Sequence, residues 1–442
     1  MNPLNRRDFI QKTSAAVAGT FASSLPTFAQ TQTKRRRSPN DQIQVGLIGV
    51  NSMGFTDLNS HLKLPDVTCV GLCDVDQNVL EKRTGEIQKQ TGKRPATYTD
   101  FRKMLENKDI DVVIIGTPDH WHALPAIYAM EAGKDIYCEK PLANRIEECR
   151  LIEAAAKRYN RVVQVGQWQR SHQHWQDVTN FVKSGKLGKV RLVKVWGYFN
   201  WYKEVPNLPD GPVPAGVDYD MWLGPAPKRP FNPNRFHGTF RHFWDYAGGL
   251  MTDWGVHLVD MALEGMNAQT PRSVTASGGR FGYPDSGMET PDTMQALYEF
   301  DTFSLVWAHG VGIGNGDYGR EHGVAFVGNN GTLVVDRGGW EVIPEKQGKD
   351  DKMEAIARQP QIGNGLDNHT RNFIECVRSR QRTNCPVDVA ANTALVCHLG
   401  NIAYRAGRKI YWDTTKGTFG NDREANSYLA AQYHNGWKLP KV

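Results

Sequence analysis

No run of about 18 uninterrupted apolar residues occurs in this 442-residue chain, so a transmembrane helix is not expected. Cysteine is scarce and odd in number: seven in a chain of this length make no disulfide framework. There is no CxxC pair and no clustered Cys/His spacing, so no structural metal is expected. Cys69, Cys73 and Cys138 stand in apolar, strand-like runs that suit small core side chains. Charge of one sign is lacking too. The formal charge of +6 falls by two when residues 1–29 are set aside, since these carry Arg6, Arg7 and Lys12 against Asp8. That field is too weak to imply a nucleic-acid partner. The one dense basic run, Lys34-Arg35-Arg36-Arg37, reads as solvated linker rather than as a contact with an anionic surface. No repeat of solenoid type appears.

What is present is the balance of a soluble globular protein, 40% hydrophobic and 23% charged, in a chain long enough for two domains. Residues 1–29 read as a secretory signal: a basic start, an Ala-rich stretch from Ala15 to Ala22, then Thr27-Phe28-Ala29 suited to cleavage. Arg6-Arg7 followed by Asp8 and Phe9 resembles the twin-arginine signal, with Asn5, Ile10 and Gln11 departing from its usual flanks. Such a signal implies a periplasmic protein exported already folded. Residues 30–42 would follow as a linker.

Ile43 to Ile48 is an apolar run of strand length, followed by Gly49-Val50-Asn51-Ser52-Met53-Gly54 where a GxGxxG turn would stand. Gly49 allows the tight turn and Gly54 close packing of helix on strand, so the helix N-terminus would face a pyrophosphate. Asn51 replaces the middle glycine, and asparagine tolerates positive φ better than other residues with side chains. A second strand, Val67 to Leu72, ends at Cys73-Asp74. A carboxylate there would accept from both ribose hydroxyls and repel a 2′-phosphate, which favours NAD over NADP. Further runs end in Thr117-Pro118-Asp119-His120-Trp121-His122 and in Glu139-Lys140-Pro141, with Arg161 to Val165 after them. Alternating βαβ units predict a parallel sheet wrapped by helices over 43–166, with ligands at the strand ends.

Taken together these features resemble the Gfo/Idh/MocA oxidoreductases. The resemblance rests on Gly49 to Gly54, Thr117-Pro118 with His122, Glu139-Lys140-Pro141, and Gly248-Gly249 followed by Asp253 and His257. It implies a Rossmann domain and a second domain, 167–442, built on a large, open, mostly antiparallel sheet often used to form dimers or tetramers. The residues agree. Lys189–Phe199, Ser273–Phe281, Thr293–Phe300 and Phe303–His309 read as strands without intervening helices, and Asn329-Asn330-Gly331 is a hairpin signal. Between the first two lies a long aromatic and Pro-rich segment. Its Trp201, Tyr202, Trp222, Phe240, Trp244 and Tyr246 could stack on sugar rings or simply wrap the core.

Asp253 and His257, four apart in a stretch that reads as helix, would share one face, with Asp260 continuing the stripe. By spacing alone such a pair is more often a surface pair. The resemblance implies instead that Lys140, Asp253 and His257 meet at an interdomain cleft. A histidine near its working pKa would take a hydroxyl proton, a lysine would stabilise the developing alkoxide, and the aspartate would orient the base or bind substrate. His120 and His122, two apart, lack partners for a metal; His122 would start a helix and shape the nicotinamide pocket. Trp168 and Arg170 are candidates for substrate contact, and a structural salt bridge suits Arg170 equally.

The first expectation is a dehydrogenase acting on a sugar, glycoside or cyclitol with tightly held NAD, since free dinucleotide is scarce outside the cytoplasm. A second is an NAD-dependent glycoside hydrolase working by transient ring oxidation and elimination. A third is a non-enzymatic sugar-binding protein, should Asn51 abolish dinucleotide binding.

Overall fold

The computed structural model describes residues 42–442; the signal and twin-arginine readings fall on residues 1–29, outside that range. Six strands form a parallel sheet: β1 (Ile43–Ile48), β2 (Val67–Cys73), β3 (Ala96–Tyr98), β4 (Val112–Ile115), β5 (Asp135–Cys138) and β6 (Val163–Val165), ordered β3-β2-β1-β4-β5-β6. The inner strands β4 and β5 are buried along their whole length, which is why they read as unbroken apolar runs rather than alternations. Five helices cover the sheet: α1 (Ser52–His61), α2 (Gln77–Thr91), α3 (Phe101–Leu105), α4 (Ala123–Glu131) and α5 (Ile146–Arg158). Strand order reverses between β1 and β4, so the crevice for a ligand opens at their carboxyl ends.

After α6 (Gln173–Lys183) the chain builds a second sheet. Its strands β7 (Leu192–Phe199), β8 (Ser273–Gly279), β9 (Thr293–Glu299), β10 (Ser304–Val311), β11 (His322–Val327), β12 (Gly331–Asp336) and β13 (Gly339–Pro344) are followed by a small β14 (Lys346–Gln347)/β15 (Asp350–Asp351) hairpin. Then come β16 (Ile356–Pro360) and β17 (Ile410–Tyr411), giving the nine-stranded order β16-β13-β12-β11-β7-β10-β9-β8-β17. All pairs are antiparallel except β7 with β10. Three sequence-predicted strands are trimmed at one end, and the β11/β12 hairpin forms around Asn329-Asn330 as its turn residues dictate.

One element departs from expectation. The helix read through Asp253 and His257 is broken at Trp254 into α8 (Gly249–Asp253), which follows the short α7 (Tyr219–Leu223), and α9 (Gly255–Met266). Asp253 therefore ends one helix while His257 lies in the first turn of the next. Helix α9 packs beneath the second sheet with Val256, Leu258, Val259 and Met261 fully buried. The last long helices, α10 (Gly365–Ser379) and α11 (Val387–Ala406), return to the first sheet. Phe373 and Ile374 of α10 join the core of β1 and β2, and α11 puts Ala390 and Ala394 into one core and Val396 and Leu399 into the other. Among the described residues no helix is long and apolar enough to cross a membrane, and the seven cysteines are buried and unpaired.

Candidate active site

A cleft opens at the carboxyl ends of β1, β2, β4 and β5, with about 1070 Å³ of space counted out to the solvent at its mouth. Gly49, Asn51, Ser52, Met53, Asp74, Thr117, Pro118, Glu139 and Lys140 all line it. Gly54 does not; it sits behind, where a Cβ would lie 2.3 Å from the Gly49 carbonyl oxygen and 3.1 Å from Gly116 Cα. Gly49 has φ of 83°, and a Cβ there would lie 2.7 Å from the Gly116–Thr117 peptide. Both glycines are thus required by the backbone. Asn51 is extended at φ −98° and caps α1 through its side chain, so its tolerance of positive φ is not used; Ser52 takes the left-handed turn at φ 44°. The substitution moves the turn along by one residue and keeps the helix start open.

Asp74 accepts from Val50 N–H at 2.8 Å and Asp76 N–H at 3.0 Å, one on each oxygen, which fixes the carboxylate at the cleft edge with lone pairs to spare. Burial raises its pKa. Thr117 Oγ1 is buried on the lining with no hydrogen-bond partner among the described residues, whereas the buried Glu139 carboxyl faces that of Asp57, whose pKa it helps to raise. An orphaned hydroxyl of this kind calls for a polar ligand. The residues present fit a nicotinamide dinucleotide: a helix start at the turn, a ribose-height carboxylate, and an unpartnered hydroxyl farther along.

His122 is not on the lining. It is buried between the carbonyl oxygens of Pro141 (2.7 Å from Nδ1) and Thr117 (2.9 Å from Nε2), and as a neutral ring, its pKa lowered by burial to about 4, it donates to one of them. The long aromatic segment mostly wraps the core: Trp222, Phe236, Phe240 and Tyr246 form a buried cluster. Tyr246, read as a possible substrate contact, is fully buried and has no face to offer a sugar. The same segment nonetheless reaches the cleft. Phe236, His237, Gly238 and Arg241 line its outer wall, and His237 Nε2 lies 3.1 Å from Asp76 Oδ2.

At the inner end Lys140 Nζ lies 2.6 Å from Asp253 Oδ1 and 3.0 Å from the Asp253 carbonyl oxygen. Arg241 Nε donates to the same carboxylate oxygen at 3.1 Å and Tyr202 OH to the other at 2.7 Å. Burial alone would raise the Asp253 pKa, but Lys140 and Arg241 together with these hydrogen bonds hold it well below the usual carboxylate range. Asp253 therefore serves the lysine, not the histidine. The His257 imidazole has no hydrogen-bond partner among the described residues, and its Nδ1 is fully enclosed. Burial, then the charges of Lys140 and Arg337, push its pKa well below the ordinary imidazole value. The ring is neutral and open to a proton, though less basic than the spacing suggested. Asp119, also on the lining, is pushed up by burial to about 7.

Trp168 lies beside His257, ring centroids 6.3 Å apart, and remains partly exposed. Arg170 is taken up by Asp260, at 2.7 and 2.9 Å, with Thr393 on the same carboxylate, which is the salt-bridge role. Arg241, Tyr202, His237, Asp119 and Arg337 complete the site. Sequence reasoning named Tyr202 and quoted Asp119 within a strand-end run without giving it a role; it passed over Arg241, His237 and Arg337, which no local motif marks. Among the described residues no cluster of three or more metal-ligating side chains occurs.

Two Gfo/Idh/MocA family descriptions match the chain: "Oxidoreductase family, NAD-binding Rossmann fold" over residues 43–167 and "Oxidoreductase family, C-terminal alpha/beta domain" over 171–439. The chain belongs to the Gfo/Idh/MocA oxidoreductase family. Its first domain has the NAD-binding Rossmann fold of that family, and its second is built on the mostly antiparallel sheet. A glycosyl hydrolase family 109 protein of Shewanella baltica is 34% identical over 174 residues, and an alpha-N-acetylgalactosaminidase of Shewanella oneidensis 33%. Each match spans 36% of this chain and 38% of the relative, well under half of either. Among solved structures, an aldose-aldose oxidoreductase of Caulobacter crescentus aligns with 19% identity and TM-score 0.61, over 84% of this chain and 99% of that one. A levoglucosan dehydrogenase in complex with NADH and levoglucosan aligns with 19% identity and TM-score 0.63, over the same shares. At such identities the likeness carries the fold.

Proposed function

We propose that this family member is a periplasmic oxidoreductase that exchanges hydride between a secondary alcohol of a sugar, glycoside or cyclitol and a tightly held NAD. The observation that carries the reading is the Lys140–Asp253 pair at the inner end of the dinucleotide cleft, with the neutral His257 close by. When bound, NAD supplies the hydride acceptor, cradled by Gly49, Asn51, Ser52, Met53, Asp74, Thr117 and Glu139. Lys140, held in place by Asp253, directs an ammonium at the substrate oxygen and lowers the cost of ionising it. His257 receives the hydroxyl proton. Its weak basicity returns that proton readily in the reverse direction. Asp74 favours NAD, because its carboxylate would face a 2′-phosphate.

Retention of the cofactor is supported by the segment that crosses the cleft mouth. Gln77 N–H donates to the Gly216 carbonyl and Asp218 N–H to that of Val75, both at 2.9 Å. The Asn78 side-chain amide donates to the Ala215 carbonyl at 2.9 Å, and His237 meets Asp76. These bonds fasten the second domain over the loop that carries Asp74, so a dinucleotide leaves only after they break. Assembly through the large sheet, as a dimer or tetramer, accords with Leu297 and Ile343 exposed on its strands.

A second reading is favoured by the glycosyl hydrolase family 109 relatives: transient ring oxidation, elimination of an aglycone, and return of the hydride. Both readings use the same lysine, histidine and dinucleotide. Incubation with aryl glycosides separates them. Aglycone release over many turnovers without net NADH supports hydrolysis, whereas reduction of the bound cofactor without aglycone release supports the dehydrogenase. If the purified mature protein neither contains nor binds NAD or NADP, both fall.

A further inference from the structure

Arg337 occupies the turn between β12 and β13, and no carboxylate among the described residues pairs with it. The adjacent Asp336 turns to Arg358, at 2.9 and 3.0 Å, and to Arg320 at 3.4 Å. Arg337 instead lies over two indoles, 4.6 Å from the ring centre of Trp168 and 4.3 Å from that of Trp254. Its Nε donates to Gln169 Oε1 at 3.0 Å, which aims the fork, while Nη1 and Nη2 have no hydrogen-bond partner among the described residues and are not fully enclosed. The guanidinium is largely buried, and although burial lowers its pKa to about 10 it remains a cation at neutral pH. Taking a cation out of water costs several kcal/mol unless an anion compensates. The one carboxylate whose field it feels, Asp253, already accepts from Lys140, Arg241 and Tyr202.

The location gives the missing partner a role. Trp168 and Trp254 are the same two rings that flank His257, at centroid distances of 6.3 and 6.1 Å. Both rings are partly exposed, as is Tyr202, and Trp201 beside them is 52% exposed. Aromatic faces of this kind, open next to a proton acceptor, suit a sugar ring. Lys140, Arg241 and Arg337 bring three positive charges to this centre against the one firmly ionised carboxylate of Asp253.

We propose that Nη1 and Nη2 of Arg337 bind an anionic substituent on the sugar oxidised at His257, so that the substrate belongs to the acidic sugars: a uronic-type carboxylate or a sulfate ester. A carboxylate matches the planar fork with two parallel hydrogen bonds. This rests on the oxidoreductase reading of the site, but its test does not require turnover. Binding of methyl glucuronide, methyl galacturonide, glucose 6-sulfate and the neutral methyl glucoside and galactoside to NAD-loaded protein is measured by calorimetry. The measurements are made on the wild type, Arg337→Met and Arg337→Lys. The wild type should prefer an acidic over the matching neutral sugar by about 10- to 100-fold. Arg337→Met should erase the preference while leaving neutral-sugar affinity and the melting temperature near wild type, and Arg337→Lys should restore part of it. A preference for the sulfate over both uronides assigns the substituent as an ester. Equal or undetectable binding of acidic and neutral sugars, or a preference that survives Arg337→Met, overturns the proposal. Hydride transfer is read in the same samples. Preferential binding with no cofactor reduction by any bound sugar contradicts the redox reading alone, and reduction by neutral sugars without preference contradicts the Arg337 subsite alone.

Discussion

Replacing Lys140 by methionine keeps the unbranched side chain to within one atom of its length and removes its charge. The ammonium lies 2.6 Å from Asp253 with both side chains 11% exposed, a largely desolvated pair. Removing one preorganised donor from a developing oxyanion lowers kcat by about 10²- to 10³-fold, or about 3–4 kcal/mol. Stability should suffer much less. An orphaned buried charge costs about 3–5 kcal/mol, but Asp253 would keep Arg241 at 3.1 Å and Tyr202 at 2.7 Å, so a loss of about 1–2 kcal/mol is expected. The pH profile should move as well. Burial is the larger cause of the low His257 pKa and stays, but the Lys140 charge, the next cause, is gone. The base must be neutral to accept a proton, so a higher pKa shifts the acid limb of the profile towards higher pH. Single-turnover reduction of the bound nicotinamide, followed by near-ultraviolet absorbance across pH, measures rate and limb together, and a melting curve measures stability. A Lys140→Met protein that is folded and turns over at the wild-type rate would refute the assigned role.

Gly54→Ala should destabilise the protein by about 1–3 kcal/mol and weaken dinucleotide binding, because the new methyl would lie 2.3 Å from the Gly49 carbonyl; calorimetry and a melting curve check both. His237→Ala removes the contact with Asp76 and should raise the rate of cofactor loss about tenfold, measured by exchange with labelled NAD, without altering kcat. Asp74→Ser should bring the affinities for NAD and NADP closer by about tenfold or more, and an unchanged ratio would remove Asp74 from the ribose site. Glu148 is buried with Oε2 unpartnered, and burial raises its pKa to about 7 despite the hydrogen bond from Tyr433. A raised carboxyl pKa stabilises the fold below the unfolded value near 4.5, and that contribution is lost as pH rises through about 7. Glu148→Gln should therefore melt higher than wild type at pH 8, by at most about 3 kcal/mol, and match it at pH 5; an advantage that persists at pH 5 would contradict this.

Much of the first domain was legible because its signals are local. A parallel strand buried on both faces reads as an apolar run, and Gly49, Asp74, Thr117 and Lys140 each stand where such a run ends. Asn51 could be seen as a departure but not resolved. Whether a turn shifts by one residue depends on backbone angles that asparagine and serine can both adopt, and here Ser52 adopts the left-handed one. The break at Trp254 was hidden because Trp254 itself keeps helical backbone angles and Gly255, where the next helix starts, is a weak breaker that a helix often tolerates. The crossing segment was equally hidden. Its aromatics announce a core, but the pairing of His237 with Asp76 joins residues 161 apart and follows from no spacing. Arg337 carries no motif at all. Its place over Trp168 and Trp254, the two rings that flank His257, is visible only in three dimensions.

The central claim is that a cofactor held in this cleft cycles between oxidation states on a sugar. The most direct measurement is a screen in which mature protein, purified without added nucleotide, is mixed with acidic and neutral sugars and glycosides while absorbance and fluorescence of the bound nicotinamide are recorded. The account predicts co-purified dinucleotide whose redox state changes with at least one sugar in the wild type and not in Lys140→Met. Bound dinucleotide that no sugar or glycoside reduces or oxidises, or a protein that takes up none, would contradict it.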